Sequence, residues 1–193
     1  MEWFTAALLG YGLGSVPFGL LLALATGKGD IRRIGSGNIG ATNVLRTGNK
    51  GLAAAVALLD IGKGFVAVWL AGQWWPDALG LTALGAVVGH CFPVWLKFKG
   101  GKGVATTAGV CFGLWWPIGA TYAAVWLVVM VITRISSLAG ICAVVAAPLA
   151  ALAIGPLELV PVLAVIAAIV IWLHRANIGR LRARTEPKVG NKP

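Results

Sequence analysis

Charged residues are scarce in this chain of 193 residues. They make up 11% of it, and only 6 acidic side chains stand against 16 lysines and arginines. A soluble globular domain carries about 25% charged residues, so that class of protein is excluded. Apolar residues reach 59%, which also excludes a disordered chain. Long apolar stretches predict an all-α, polytopic membrane protein with a single domain over residues 1–193.

Cysteine is also rare. Cys91, Cys111 and Cys142 lie far apart inside apolar stretches, without the paired spacing of a zinc site or a disulfide framework. We interpret them as small buried hydrophobic residues. No metal site is expected.

Seven apolar segments predict seven transmembrane helices. They cover approximately residues 3–25, 52–73, 78–95, 104–116, 118–133, 138–154 and 158–174. If 104–133 were one helix kinked at Pro117, Arg134 and the basic C-terminal tail would lie outside. A turn at Pro117 instead places every Lys and Arg on one side, except Lys63 within the second span. The positive-inside rule therefore favours seven helices, with the N-terminus outside and the C-terminus cytoplasmic.

The first apolar run, residues 3–25, predicts a transmembrane helix rather than a signal peptide. An acidic residue precedes it and cations follow it, which is the reverse of a secretory signal. Gly10, Gly12 and Gly14 allow a neighbouring helix to approach closely, and Pro17 is expected to kink the helix.

The first polar segment, residues 35–46, reads Gly-Ser-Gly-Asn-Ile-Gly-Ala-Thr-Asn-Val-Leu-Arg. Glycines let a backbone approach a ligand, and Ser36 and the Arg46 guanidinium are good phosphate partners. An ordinary Asn/Gly turn is the alternative, but it accounts for the glycines and not for so many polar residues. We therefore predict a phosphate site here.

The second polar segment, residues 89–106, carries His90 and three lysines interleaved with glycines before a predicted helix. Fixed positive charge, free N–H groups and the helix dipole together favour an anion. The spacing of a Walker A loop is absent. Lysines that only fix the topology are the alternative, and His90 is either an interfacial or a functional histidine.

The third polar segment, residues 174–181, follows the last span. On a helix, His174, Asn177 and Leu181 share a face, so polar groups there could point toward the other segments. Ser136 and Ser137 are expected to cap the sixth helix, with a hydroxyl in the site as the alternative.

Two ionised residues, Asp60 and Lys63, lie three positions apart inside the second span. Charges in a membrane are costly unless they are paired, and this spacing allows an ion pair on one helix face. We expect the pair to support the structure and to brace the first polar segment.

Taken together, the three segments resemble the motifs of a known family. Residues 35–46, then Gly-His-Cys-Phe-Pro-Val-Trp-Leu-Lys-Phe-Lys-Gly-Gly-Lys-Gly at 89–103, then His-Arg-x-Asn-Ile-x-Arg-Leu at 174–181 are similar to the cytoplasmic motifs of bacterial acyl-phosphate:glycerol-3-phosphate acyltransferases, the PlsY family. Residues 14–19 and 59–64 resemble the family as well. The third motif commonly ends Gly-Thr-Glu, whereas here Arg184 precedes Thr185 and Glu186.

The resemblance implies the first acylation of phospholipid synthesis, at the cytoplasmic face of a bacterial inner membrane. The 1-hydroxyl of glycerol 3-phosphate attacks the carbonyl carbon of a fatty acyl phosphate and gives 1-acyl-glycerol 3-phosphate (lysophosphatidic acid) and phosphate. The expected partners are these two substrates and the lipid bilayer, with no nucleic acid and no metal or organic cofactor. The oligomeric state is left open, with a monomer as one option.

Direct acyl transfer is the expected mechanism, because aligning the reactants and neutralising phosphate charge are both large effects. The His-x-x-x-x-Asp motif of the acyl-CoA or acyl-carrier-protein glycerophosphate acyltransferases is missing at both histidines, and no Ser or Cys lies beside a base as an acyl-enzyme requires. We expect catalytic roles for His90, His174 and Asn177, with a substrate phosphate as the alternative base. Substrate or phosphate binding is expected from Ser36, Gly37, Asn38, Asn43, Arg46, Lys97, Lys99, Gly100, Gly101, Lys102, Gly103, Thr106 and Ser137. Structural support is expected from Asp60, Lys63 and Glu186.

A membrane transporter or exchanger of small organophosphates is the competing function. It predicts binding residues near the bilayer midplane and an inverted repeat, whereas the candidates here lie in one cytoplasmic layer and no repeat is visible. A CDP-alcohol phosphotransferase needs a cluster of aspartates, and the chain has only Asp30, Asp60 and Asp77.

Overall fold

The computed structural model describes residues 1–190, and Lys192 of the basic tail lies outside them. Residues 1–190 contain helices and no β-strand, which confirms the all-α prediction. The α-helices are α1 (Glu2–Gly14), α2 (Phe18–Ala25), α3 (Ala41–Val44), α4 (Lys50–Trp74), α5 (Leu79–Cys91), α6 (Val104–Leu114), α7 (Trp116–Thr133), α8 (Ser136–Ile154), α9 (Val160–Leu173) and α10 (Arg175–Arg182).

Five helical stretches are long and apolar enough to cross a membrane. They are Glu2–Ala25, Lys50–Trp74, Pro76–Leu96, Trp116–Thr133 and Ser136–Ile154. A sixth is reached if Leu157–Leu173 and Arg175–Arg182, bent by 62°, count as one span, while Val104–Leu114 is apolar but shorter. These helices match the predicted apolar segments in position. The count of seven and the orientation of the termini stay predictions.

Two prolines lie at breaks between helices. α1 ends at Gly14 and α2 begins at Phe18, so the chain is interrupted around Pro17, as predicted. Residues 104–133 form two helices separated at Trp115 rather than one kinked helix. Pro117 lies in the first turn of α7, where its missing N–H is not needed.

The chain divides into two compact units, Met1–Leu114 and a second one that begins at Trp115. In the first unit, α1 packs along α5 and α4 packs along α6. In the second unit, α8 contacts both α7 and α9. The prediction of a single domain stays a prediction.

Glycines on both helices bring α1 and α5 into close contact. Gly10 and Gly14 lie against the backbone of α5, and Gly85 and Gly89 lie against the backbone of α1. A Cβ atom at Gly14 would lie 2.7 Å from a backbone carbon of α5, closer than real Cβ contacts. A Cβ atom added at Gly12 would meet no atom of another element within 4 Å, so only two of the three glycines predicted to mediate close packing in α1 do so.

Candidate active site

Asn43 organises the first loop, which comprises residues 31–47. Its side chain is buried, and its amide nitrogen donates to the carbonyl oxygens of Ile31 at 2.8 Å and Asn38 at 2.7 Å. Its amide oxygen accepts from the backbone N–H of Ser36 at 3.0 Å. Both ends of the amide are therefore engaged with the loop backbone. Contact between Asn43 and substrate stays a prediction, and its visible role is to fix the path of the loop.

Arg46 folds back across the glycines of the first loop. Gly35 and Gly37 adopt left-handed φ angles of 54° and 70°, which glycine accepts without strain. A Cβ atom at Gly35 would lie 2.6 Å from Cδ and 2.9 Å from Nη1 of Arg46, so the guanidinium lies over this turn. The neighbouring Ser36 is exposed. Arg46 takes part in none of the ion pairs found in residues 1–190, which leaves its charge for an anion.

Asp30, the acidic residue beside the first loop, forms an ion pair with Arg32. The Asp30 carboxylate accepts from the backbone N–H of Arg32 and pairs with its guanidinium at 2.7 Å. The side-chain hydrogen bond from Arg32 lowers the pKa of Asp30 to about 2, so this carboxylate stays ionised and paired. The Asn38 side chain accepts from the N–H of Gly40 at 2.7 Å. The loop therefore keeps a net positive surface around Arg46.

An aliphatic core lies under the first loop. Its buried members are Leu20, Ala23, Ile31, Ile39, Val44, Leu52, Ala53 and Val56. Leu96, from the second loop (residues 92–103), packs against the same core. The two predicted phosphate-binding loops are therefore neighbours in the first unit.

Backbone hydrogen bonds hold the second loop against the end of α5. The N–H groups of Gly100 and Gly101 donate to the carbonyl oxygens of Cys91 and His90, each at 3.0 Å. A Cβ atom at Gly100 would lie 2.6 Å from Cδ of Pro93, and one at Gly101 would lie 2.7 Å from Cε1 of His90. Close packing on α5 therefore requires glycine at both positions, independently of any phosphate contact.

The lysines of the second loop lie on or near its surface. Lys97 and Phe98 take left-handed φ angles of 52° and 60°, which reverse the chain and which non-glycine residues seldom adopt. Lys97 and Lys99 are exposed and form no ion pair within residues 1–190. Lys102 is half-buried, and Gly103, with φ of 85°, leads into α6. This places positive charge beside the N-terminus of α6, where an anion is favoured.

Thr106 lies deeper than the lysines. It is fully buried in the first turns of α6, and Gly64 of α4 packs against its carbonyl group. Its contact with substrate stays a prediction, and the packing gives it a place in the α4–α6 interface.

A buried cluster of ionisable side chains joins α4 and α5. Lys63 Nζ lies 2.7 Å from Asp60 Oδ1, which confirms the predicted ion pair, and both side chains are 3% exposed. His90 Nδ1 lies 3.6 Å from the same carboxylate oxygen. Lys63 also donates to the carbonyl oxygen of Val16 at 2.8 Å, so it braces the break between α1 and α2 rather than the first polar segment directly. Within residues 1–190, no three His, Cys, Asp or Glu side chains gather as a metal site.

In the second unit, Glu186 gathers three polar side chains. Its Oε1 accepts from Ser137 Oγ at 2.7 Å and from Asn177 Nδ2 at 2.6 Å, and its Oε2 accepts from Arg180 Nε at 2.6 Å. Burial raises the pKa of Glu186, but these three hydrogen bonds outweigh it and hold the pKa below the ordinary value of 4.5. The ionised carboxylate therefore fixes the orientation of Asn177.

The serines after Arg134 do not cap the helix, so that prediction is wrong. α8 begins at Ser136, and its N-cap residue is Ile135, which has no side-chain acceptor. Ser137 instead uses its hydroxyl on Glu186. A direct contact between Ser137 and substrate stays a prediction.

His174 lies between two helices rather than inside one. It ends α9 and precedes α10, so the prediction that it shares one helix with Asn177 and Leu181 is wrong, whereas those two residues do lie one turn apart within α10. Its ring is buried, and Nδ1 lies 2.7 Å from the carbonyl oxygen of Val170. Because a carbonyl only accepts, Nδ1 carries a proton and donates it to this hydrogen bond.

Two side chains outside the predicted set also position the second loop. The Tyr11 hydroxyl donates to the carbonyl oxygen of Phe92 at 2.9 Å and accepts from the N–H of Val94 at 3.0 Å. Trp95 Nε1 donates to the carbonyl oxygen of Ser15 at 2.8 Å. The sequence did contain a signal for the Tyr11 contacts, because a tyrosine hydroxyl inside an apolar span needs a hydrogen-bond partner.

Comparisons with known proteins give one consistent result. The model of a family described as glycerol-3-phosphate acyltransferase matches residues 4–184. A glycerol-3-phosphate acyltransferase of Erythrobacter litoralis is 66% identical over 188 residues, covering 97% of this chain and 95% of the relative. One of Novosphingobium aromaticivorans is 62% identical over 192 residues and covers 100% and 98%.

Two solved structures are similar as well. A crystal structure of PlsY, an integral membrane glycerol 3-phosphate acyltransferase, in its glycerol 3-phosphate form has a TM-score of 0.92 and 38% identity, covering 98% of this chain and 96% of that one. Its lysophosphatidic acid form has a TM-score of 0.89 and 37% identity, with the same coverage.

Proposed function

The chain belongs to the glycerol-3-phosphate acyltransferase family, and we propose that it transfers a fatty acyl group from an acyl phosphate to the 1-hydroxyl of glycerol 3-phosphate. The products are 1-acyl-glycerol 3-phosphate and inorganic phosphate. The related PlsY has been seen with glycerol 3-phosphate and with lysophosphatidic acid, a substrate and a product of this reaction.

The observation that carries the proposal is the pair of loops in the first unit. Leu96 packs the second loop onto the core under the first, so two glycine-rich loops lie side by side, and Arg46, Lys97 and Lys99 form no ion pair within residues 1–190. Both proposed substrates carry a phosphate, and each loop supplies features that favour one. Ser36, Gly37, Asn38 and Arg46 hold one phosphate, and Lys97 with residues 99–103 holds the other.

The proposed step is direct acyl transfer. The hydroxyl oxygen of glycerol 3-phosphate forms a bond to the acyl carbonyl carbon, and the bond from that carbon to the phosphate oxygen breaks. Phosphate leaves with the electron pair, and the hydroxyl proton passes to a base. His90, His174 and a phosphate oxygen of the substrates are the three candidates. Nδ1 of His174 is engaged with the carbonyl oxygen of Val170, so in a neutral ring Nε2 is the nitrogen that takes the proton.

The proposed orientation follows from charge. Seven spans with the N-terminus outside put the cations of both loops, Arg134 and the C-terminal tail on the cytoplasmic side of a bacterial inner membrane. The whole chain acts as a single domain in this proposal.

Phosphate release tests the donor. Purified protein in detergent or lipid receives palmitoyl phosphate and glycerol 3-phosphate, and palmitoyl coenzyme A replaces palmitoyl phosphate in a parallel reaction. Release that requires both substrates, with formation of 1-palmitoyl-glycerol 3-phosphate, is expected. Acyl transfer from the coenzyme A ester alone would contradict the proposed donor. Glycerol 3-phosphate uptake into vesicles without acyl transfer would favour transport.

Replacing Gly101 by alanine is expected to weaken substrate binding more than folding. The new methyl group collides with the buried ring of His90, so the second loop must shift. A shift of about 1 Å in a binding group costs up to about 100-fold in rate, and we expect the KM of one substrate to rise about 10-fold or more.

The measurement is the KM for each substrate, with the melting temperature recorded in parallel. Gly12→Ala is the matched control, because a Cβ atom there meets nothing within 4 Å. Unchanged KM values for both substrates in the Gly101→Ala variant would contradict this account of the second loop.

A further inference from the structure

The buried ion pair in α4 is costly for an apolar environment. Asp60 and Lys63 are each 3% exposed, and His90 beside them is 4% exposed. Removing charges from water costs several kcal/mol per ion, and attraction within the pair seldom returns more than that cost. Replacing such a pair by well-packed apolar side chains of similar volume is often neutral or stabilising. Stability alone therefore does not account for this cluster, and its contacts indicate another role.

One arm of the cluster reaches the second loop. Asp60 Oδ1 lies 3.6 Å from Nδ1 of His90, whose ring packs against Gly101. The carbonyl oxygen of His90 accepts from the N–H of Gly101 at 3.0 Å. Lys102, a predicted phosphate ligand, is the next residue in the chain. The position of His90 therefore sets the position of this part of the second loop.

The other arm reaches the first loop. Lys63 donates to the carbonyl oxygen of Val16, in the break between α1 and α2, and its Nζ lies 5.7 Å from the centre of the Phe18 ring. Gly19 in the first turn of α2 packs against Ile39 of the first loop, where a Cβ atom would lie 3.0 Å from the Ile39 carbonyl carbon. The position of Lys63 therefore bears on the first loop through α2.

We propose that the ion pair between Asp60 and Lys63 is a positioning element that holds the two phosphate-binding loops at the spacing the two substrates require. This inference rests on the proposed function, in which each loop binds one phosphate. The pair touches neither substrate, and it acts through His90 on one side and through Val16 on the other.

The test is the double variant Asp60→Leu/Lys63→Met, which removes both charges and puts apolar side chains of similar volume in their place. Either single variant leaves one uncompensated buried charge and is expected to fold poorly. The double variant is expected to keep a melting temperature at or above that of the wild type. Because both loops lose their common support, we expect the KM values for glycerol 3-phosphate and for palmitoyl phosphate each to rise about 10-fold or more, with a smaller change in kcat.

Thr82→Val is the matched control, because it removes a buried polar group from α5, the helix of His90. Gly101→Ala serves as the one-loop comparison and is expected to raise a single KM.

Titration calorimetry of glycerol 3-phosphate without any donor gives a second readout, and the double variant is expected to bind glycerol 3-phosphate at least about 10-fold more weakly than the wild type. A change in only one KM, or wild-type binding in a folded double variant, would overturn the proposal. Failure of the wild type to use palmitoyl phosphate would instead count against the donor, and the calorimetric result would still decide the role of the pair.

Discussion

The Arg46→Ala variant is expected to lose about 100-fold to 1,000-fold in kcat/KM, the range seen when a fixed donor to transition-state charge is removed. The guanidinium lies over the turn at Gly35 beside the exposed Ser36, outside every described ion pair. It is therefore placed to give planar, two-point contact to a phosphate. The measurement is steady-state release of phosphate from palmitoyl phosphate at varied concentrations of both substrates.

Arg33→Ala is the matched control, since it removes an exposed cation from the same loop without touching the turn. Arg33→Ala should change kcat/KM only slightly, because Arg33 acts on the substrate only through long-range electrostatic attraction. Gly35→Ala should reproduce part of the Arg46 loss, because its methyl group displaces the guanidinium. Equal losses in the two arginine variants would mean that the loop contributes only general positive charge.

The Glu186→Ala variant is expected to destabilise the second unit by about 1–3 kcal/mol, the cost of leaving buried hydrogen-bond donors without their acceptor. The carboxylate is 6% exposed and accepts three hydrogen bonds, so its removal takes one acceptor away from each of Ser137, Asn177 and the more exposed Arg180. Activity should fall with stability, because Asn177 loses its orientation. Thermal unfolding in detergent measures the first effect, and the acyl transfer assay measures the second.

Glu158→Ala is the control for this variant, because it removes an exposed acid from the same unit.

The stability of the wild type is also expected to depend on pH through Glu186. The folded-state pKa of Glu186 is held below 4.5, so its contribution to stability is present above pH 4.5 and is lost as the pH falls below that value. Wild type should therefore lose stability in this acidic range, whereas Glu186→Gln should lack that component. Identical acid profiles for the two proteins would contradict the role given to this carboxylate.

Hydropathy and spacing predicted the helices and the ion pair because each depends on residues near in sequence. Apolar runs marked the membrane helices, and the three-residue separation of Asp60 and Lys63 placed both on one face of α4. The motifs likewise marked the loops that hold cations. These features follow from local rules of helix geometry and burial.

Contacts between residues far apart in the sequence could not be predicted from those local rules. The side chain of Asn43 hydrogen-bonds to the backbone of its own loop because the loop folds around it. The Tyr11 hydroxyl hydrogen-bonds to residues about eighty positions away in the sequence. The helix break at His174 could not be predicted, because no proline or glycine lies at the break. The prediction of serine caps was wrong because α8 starts at Ser136, two residues before the expected position 138, so Ile135 takes the cap position.

The interlocked glycines of α1 and α5 have a mechanical consequence. Each helix fits its backbone into the other at two places one turn apart, so neither can slide along its neighbour without a clash. A helix adapts to a thicker or thinner bilayer mainly by tilting or kinking. Because α1 and α5 cannot slide past each other, they tilt as one body. The height of the second loop above the break between α1 and α2 is therefore independent of membrane thickness, and the enzyme should tolerate lipids of different chain length without losing the register of that loop.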